Sequence, residues 1–315
     1  MAIRPVHLSL LKSRSTRLVV AAAVVVLLFG SAMTTAANER LHLRGAQALG
    51  GPVTPTIVNI DIRDLPRAPD WQPGDPIKEI PRRFFPPKEE IMTPYEANPD
   101  PLADLQRATA LRSTDAFTTP ILNMAGQGYT GVNPPDTVGD IGPNHYIQSI
   151  NDSGGAVVQI YDKTGAPIGS PFAMDSLGSG SCGSGLGDPI ILYDRLADRW
   201  LMQEFSSGGN YLCFYISQGP NPVTDGWYHY GFQSPSFPDY PHFGVWPDAY
   251  YGTSNESSPA VYAFDRINML AGAAATSQRF ALADLNGYGF QAATPADLDG
   301  ADAPPAGSPG IIMRH

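Results

Sequence analysis

The stretch DPIILYDRLADRWLMQEF, residues 188–205, reads as a short strand, a turn and a second strand. From Trp200 the side chains alternate. Trp200, Met202 and Glu204 share one face, and Leu201, Gln203 and Phe205 the other, the period-2 pattern of a β-strand. The same plan occurs twice more, as DTVGDIGPNHYIQSIN from Asp136 and DYPHFGVWPDAYYGTSNE from Asp239. The leading aspartates stand 52 and then 51 residues apart, and each second strand opens on an aromatic, Tyr146, Trp200 or Tyr250. Third strands follow at Ala156 (AVVQIYDK), Tyr211 (YLCFYISQ) and Ala260 (AVYAFDR). The first two copies continue to a fourth, around Pro167 to Met174 and Trp227 to Phe232.

A four-stranded antiparallel unit repeated about every 40 to 55 residues predicts an all-β, β-propeller-like array. The blades fall near residues 133–180, 185–235 and 236–290, with a fourth beginning in 291–315. A two-sheet sandwich is the alternative, since it too has short strands and regular turns. Three complete blades would leave open edges on the first and last sheets. The expectation is therefore a truncated propeller, with oligomerisation or aggregation through those edges.

Outward from the repeat, the chain divides into regions of different chemistry. The whole has 315 residues with 32 Gly and 31 Pro and only 16% charged residues, which excludes coiled coils and helical bundles. Residues 1–37 place Arg4, Lys12, Arg14 and Arg17 before the apolar run Leu18 to Phe29 and a small-residue tail. That is the pattern of a signal peptide, too short to span a bilayer, and it predicts a secreted, periplasmic or cell-surface protein that is not membrane-spanning once cleaved; an uncleaved anchor is the alternative. Residues 38–125 read as a Pro-rich linker or propeptide, mostly irregular, with twelve prolines between Gly51 and Pro101. Proline fixes φ and removes a donor, so this stretch is expected to join no ladder. A short helix is possible from Pro101 to Arg112. Residues 126–315 form the folded domain.

The net charge of −10 argues against nucleic acid as a partner. From Ser113 onward six basic residues face nineteen acidic ones, nearly all aspartates at turns. The two cysteines, Cys182 and Cys213, are expected to form a disulfide in an oxidising compartment, worth about 3–4 kcal/mol in the chain-entropy model; two buried free thiols are the alternative.

The segments NPPDTVGDIGPNHYIQSIN from Asn133, GDPIILYDRLADRW from Gly187, PDYPHFGVWPDAYYGTSNE from Pro238 and ADLDG near Asp297 resemble a family of uncharacterised secreted bacterial β-propeller proteins, similar to sialidase and BNR-repeat propellers. The resemblance covers roughly residues 126–310. It implies further blades and no agreed activity. The Asp-box turn of sialidases is only approximated by Asp194 to Trp200, which lacks the Ser/Thr and the Gly.

Candidate chemistry centres on the leading aspartates. Asp136, Asp188 and Asp239 can form a ring at one end of the array, suited to sugar hydroxyls or to calcium; the competing role is to lock turns between neighbouring blades. Trp246 and Asp248 join them as ligand-binding candidates, because an aromatic can stack on a sugar ring. Asp297, Asp299 and Asp302 form a weak calcium-loop match, and an ordinary turn is the alternative. Glycoside hydrolysis needs two carboxylates, for which Glu204, Asp188 and Asp239 are weak candidates. His145, His229 and His242 have no metal-ligand spacing, so zinc is not expected. The composite expectation is an exported, non-catalytic module that binds carbohydrate, an extracellular protein or the cell surface. A glycan-degrading hydrolase, sialidase-like or another glycosidase, and a non-functional fragment are the alternatives.

Overall fold

A computed structural model describes residues 46–80, 121–256, 259–282, 293–300 and 302–314. The signal peptide and the helix expected at Pro101 to Arg112 lie outside them. The fold is all-β and antiparallel in its main sheets.

Three consecutive meanders carry it. The first is β5 (Val138–Ile141), β6 (His145–Asp152), β7 (Gly155–Asp162) and β8 (Pro167–Ala173). The second is β9 (Gly185–Asp194), β10 (Arg199–Ser206), β11 (Tyr211–Ser217) and β12 (Trp227–Gln233). The third is β13 (His242–Val245), β14 (Tyr250–Ser254), β15 (Ala260–Phe264) and β16 (Ser277–Ala281). A five-residue helix α1, Arg266–Leu270, bridges β15 and β16. In the third copy β16 completes a four-stranded sheet where the repeat reading had ended at three strands. A two-stranded ladder of β17 (Ala293–Pro295) and β18 (Ile312–Arg314) follows.

The first strands of the meanders gather together: β5 packs against β9, β9 against β13, and β13 against β17. Each meander enters its first strand through a left-handed residue, Asp136 at φ 40°, Asp188 at 50° and Tyr240 at 55°. Aspartate tolerates this region better than most residues, which accounts for its place at two of the entries.

The second sheet is buried on both faces, and its alternation sorts side chains into two cores. Ile191, Tyr193, Trp200, Met202, Cys213, Tyr215 and Trp227 pack toward the first sheet, with Ile147, Val158, Ile160 and Phe172. Leu201, Phe205, Leu212, Phe214, Ile216, Tyr230 and Phe232 pack toward the third, with Phe243, Tyr250, Tyr262 and Phe264. Phe214 sits 5.1 Å from Phe243 and 4.7 Å from Phe264 between ring centroids, so the second and third sheets share an aromatic knot. Aromatic pairs of this kind add about 0.5–1.5 kcal/mol each beyond area burial.

The Pro-rich segment departs from expectation. Its described part supplies strands: β1 (Gln47–Ala48) pairs with β16, and β2 (Thr56–Val58) pairs with β12. Thus the outer edges of the second and third sheets are each covered by a strand from the region expected to join no ladder. An edge strand bonds a neighbour on one side only, so prolines flanking it, such as Pro55, cost little. A 3₁₀ turn at Ile62–Asp64 then buries Ile62 in the first core. Further on, β3 (Lys78–Glu79) pairs in parallel with β4 (Val132–Asn133).

Candidate functional site

The leading aspartates stand at the entry end of the first strands. Asn151, near the end of β6, joins two of them: its Nδ2 donates to Asp136 Oδ2 at 2.8 Å and lies 3.5 Å from Asp188 Oδ1. Its Oδ1 accepts from the Asp188 backbone N–H at 2.7 Å. Burial, then the neighbouring charge of Asp136 and a hydrogen bond with it, push the Asp188 carboxyl up to about 7, with Asp239 adding to the field. Asp136 and Asp188 therefore form a close pair, with Asp239 beside it.

This end opens into a cavity of about 290 Å³ lined by Lys78, Ile80, Leu186, Asp188, Phe205, Phe237 and Asp239. Phe205 and Phe237, which meet at 4.7 Å between centroids, supply apolar lining to the same cavity. Lys78 is turned partly away, donating from Nζ to the Ser153 carbonyl at 2.8 Å. Neither Phe237 nor Lys78 was legible as a site residue, since Lys78 lies in the Pro-rich segment and Phe237 precedes the leading aspartate from which the third copy is aligned.

Trp246 and Asp248 follow β13, whereas Asp239 precedes it, so the strand holds them at opposite ends. The Trp246 indole is 6% exposed and donates to the Ser308 carbonyl at 2.9 Å. It is packed and tied rather than offered to a ligand. Asp248 accepts from the Tyr251 hydroxyl at 3.1 Å on the surface.

The ADLDG segment takes a structural part. Asp297 accepts from the Val245 N–H of β13 at 2.7 Å, as Asp140 of β5 accepts from the Tyr193 N–H of β9 at 2.6 Å. Each carboxylate thus bridges two adjacent units. Burial raises both pKa values, these amide bonds oppose it, and Asp299 adds like charge to each. The larger cavity at this exit end, about 470 Å³, is lined by Ile141, Gly142, Pro143, Lys163, Tyr193, Arg195, Leu196 and Gly300. Lys163 is engaged there by the Gly142 carbonyl at 2.8 Å.

Glu204 sits at an irregularity where the pairing of β10 with β9 shifts between Gln203 and Phe205. It is fully buried, and glycines make room for it: a Cβ at Gly185 would lie 2.2 Å from its Oε2. The amides of Ala156 and Gly187 face the carboxyl and favour its charge a little, but neither reaches hydrogen-bond geometry. Burial, reinforced by Asp175, raises its pKa well above the ordinary value.

Cys182 and Cys213 form a disulfide. Among the described residues, only one group of three or more His, Cys, Asp or Glu brings its ligand atoms within 4.8 Å of one another, and it is Cys182, Cys213 and His229. Neither aspartate trio, Asp136/Asp188/Asp239 nor Asp297/Asp299/Asp302, converges that closely. Calcium, which wants about six to eight oxygens, gains no support from either. Among the described residues no helix is long and apolar enough to cross a membrane. No protein-family model, no curated protein and no solved structure matches the chain.

Proposed function

We propose that this chain is a non-catalytic, propeller-like binding module whose ligand is a carbohydrate held at the entry end of the first strands. The three meanders act as blades around the line of β5, β9 and β13, and β17 begins the next unit. The observation that carries this reading is the cavity of about 290 Å³ lined by Asp188 and Asp239 together with the Phe205–Phe237 pair. Carboxylates accept from vicinal hydroxyls while an aromatic face stacks on the apolar face of a pyranose, the usual division of labour in sugar recognition.

The glycosidase reading has weaker support. Catalytic carboxylates must flank a substrate. Glu204 lines none of the described cavities and is closed in by Gly155 and Gly185. A Tyr–Glu–Arg grouping of the kind a sialidase-like centre needs does occur at Tyr262, Glu256 and Arg279. However, Tyr262 is 1% exposed and Glu256 3%, so the grouping lies inside the third sheet.

A glycan panel run with the full chain, scoring retention and turnover together, tests the proposal. Retention without turnover is expected, and Asp239→Asn and Phe237→Ala should each weaken it by about 10-fold or more. Turnover would replace the binder by a hydrolase. Neither retention nor turnover would leave a fragment without a carbohydrate role.

A further inference from the structure

His229 is 5% exposed, and both of its ring nitrogens are buried without a hydrogen-bond partner. A buried imidazole ordinarily satisfies at least one nitrogen, so two orphans on one ring ask for a ligand that is not another side chain. Strand register explains what lies beside it. Cys213 on β11 stands opposite Gly231 on β12, and Tyr215 stands opposite His229, so Cys213 and His229 are diagonal neighbours on one face. Gly231 leaves room for the second sulfur, since a Cβ there would come within 3.1 Å of Cys182 Sγ. The Tyr215 ring stacks on the imidazole at 5.4 Å and holds its plane. A cavity of about 190 Å³ opens over the group, lined by Cys182, His229 and the hydroxyl residues Thr54, Thr56, Ser179 and Ser181.

We propose that Cys182, Cys213 and His229 form a metal site that becomes available when their disulfide is reduced. A dithiol donates two electrons and two protons to the S–S bond, which becomes two thiols while the dithiol closes to its own disulfide. A divalent cation of borderline softness, Zn²⁺ by preference, then displaces the two thiol protons and is held by two thiolates and one neutral imidazole. Tetrahedral zinc sets such ligand atoms about 3.5–3.8 Å apart. The three are already within 4.8 Å of one another. Breaking the S–S bond lets the sulfurs separate to that spacing by side-chain rotation alone. The fourth position faces the cavity, whose hydroxyls suit a bound water. In the oxidised protein the sulfurs are neutral and poor ligands, so the disulfide and the metal are mutually exclusive occupants. The site is built from β11, β12 and the 3₁₀ turn before β9, and it is independent of the carbohydrate reading.

The test uses the full chain, reduced with dithiothreitol, desalted anaerobically and titrated with Co²⁺ as a spectroscopic substitute for Zn²⁺. One Co²⁺ per chain is expected, with thiolate-to-cobalt charge transfer and tetrahedral ligand-field bands that Zn²⁺ bleaches. The oxidised chain should give neither. His229→Ala should keep the disulfide and the oxidised melting temperature yet bind Co²⁺ at least about 100-fold more weakly when reduced. If that variant does not fold, wild-type protein still decides: Zn²⁺ should raise the melting temperature of the reduced chain and protect both thiols from alkylation. Absence of the bands, equal bands in His229→Ala, or a reduced chain that binds Co²⁺ while remaining unfolded by circular dichroism would each overturn the proposal.

Discussion

Asp194 and Glu204 are both fully buried carboxylates of the second sheet, yet Asp194 looks toward the third sheet and Glu204 toward the first. Asp194 is held from three sides. Arg266 Nε and Nη2 reach its two oxygens at 2.7 and 2.9 Å, and the Tyr250 hydroxyl donates at 2.8 Å. Glu204 has no hydrogen-bond partner and a second acid, Asp175, in its field. Unpartnered buried groups occur on both sides: Tyr215 Oη, Trp227 Nε1 and both His229 nitrogens on the Glu204 side, Arg199 Nε and both Gln203 amide atoms on the other. Glu256 and Arg279 are paired within the third sheet at 2.8 Å. One interface buries a carboxylate against compensating partners and the other buries one without them, and only the first depends on keeping both partners.

The largest effect should come from removing the compensation. Arg266→Met leaves Asp194 charged and buried, and equilibrium denaturation should register a loss of about 3–5 kcal/mol. A loss under 1 kcal/mol would mean that Asp194 is hydrated or protonated, and the contrast would collapse.

Glu204→Gln should do the reverse at neutral pH. The folded protein binds the Glu204 proton more tightly than the unfolded chain. Its contribution to stability is therefore full below the ordinary value of 4.5 and is lost as pH rises toward the raised folded value. Asp188 has the same sign over the window from 3.8 to about 7. Wild-type stability should thus decline between pH 4 and pH 7 on both accounts. Glu204→Gln should match wild type near pH 4 and exceed it by about 1–2 kcal/mol at the high end of the range. A pH-independent difference would show that Glu204 is already ionised or already solvated.

A tyrosine pair measures the smallest effect. Tyr250→Phe removes a hydroxyl that serves Asp194 and should cost about 1–1.5 kcal/mol. Tyr215→Phe removes one that serves nothing, and should be neutral or slightly stabilising. Equal losses in the two variants would mean that the Tyr215 hydroxyl has a partner, such as an ordered water.

The two-sided burial of the second sheet was legible because alternation is local. Trp200 to Phe205 already assigns each side chain to one of the two cores. The entry aspartates were legible because they recur at a fixed spacing ahead of each strand–turn–strand pattern. Strand β16 was not, since Ser277-Gln-Arg-Phe-Ala carries a weak pattern and gains its place from β15 and β1. Nor were β1 and β2, whose partners lie far along the chain and leave no trace in the residues around them. The same holds for His229. Nothing near Tyr228 or Tyr230 announces two sulfurs, because Cys182 arrives from the loop before β9 and Cys213 from the neighbouring strand.

The docking of β1 and β2 also sets an order of events. Gln47–Ala48 is made before any of the sheets, but its partner β16 is the last strand of the third. Thr56–Val58 likewise waits for β12. Until Ser277–Ala281 has been synthesised, the third sheet has no β16 and β1 no place to land, and pairings of such long range are slow to form. A protease that cut the segment free after assembly would return both edges to the open state.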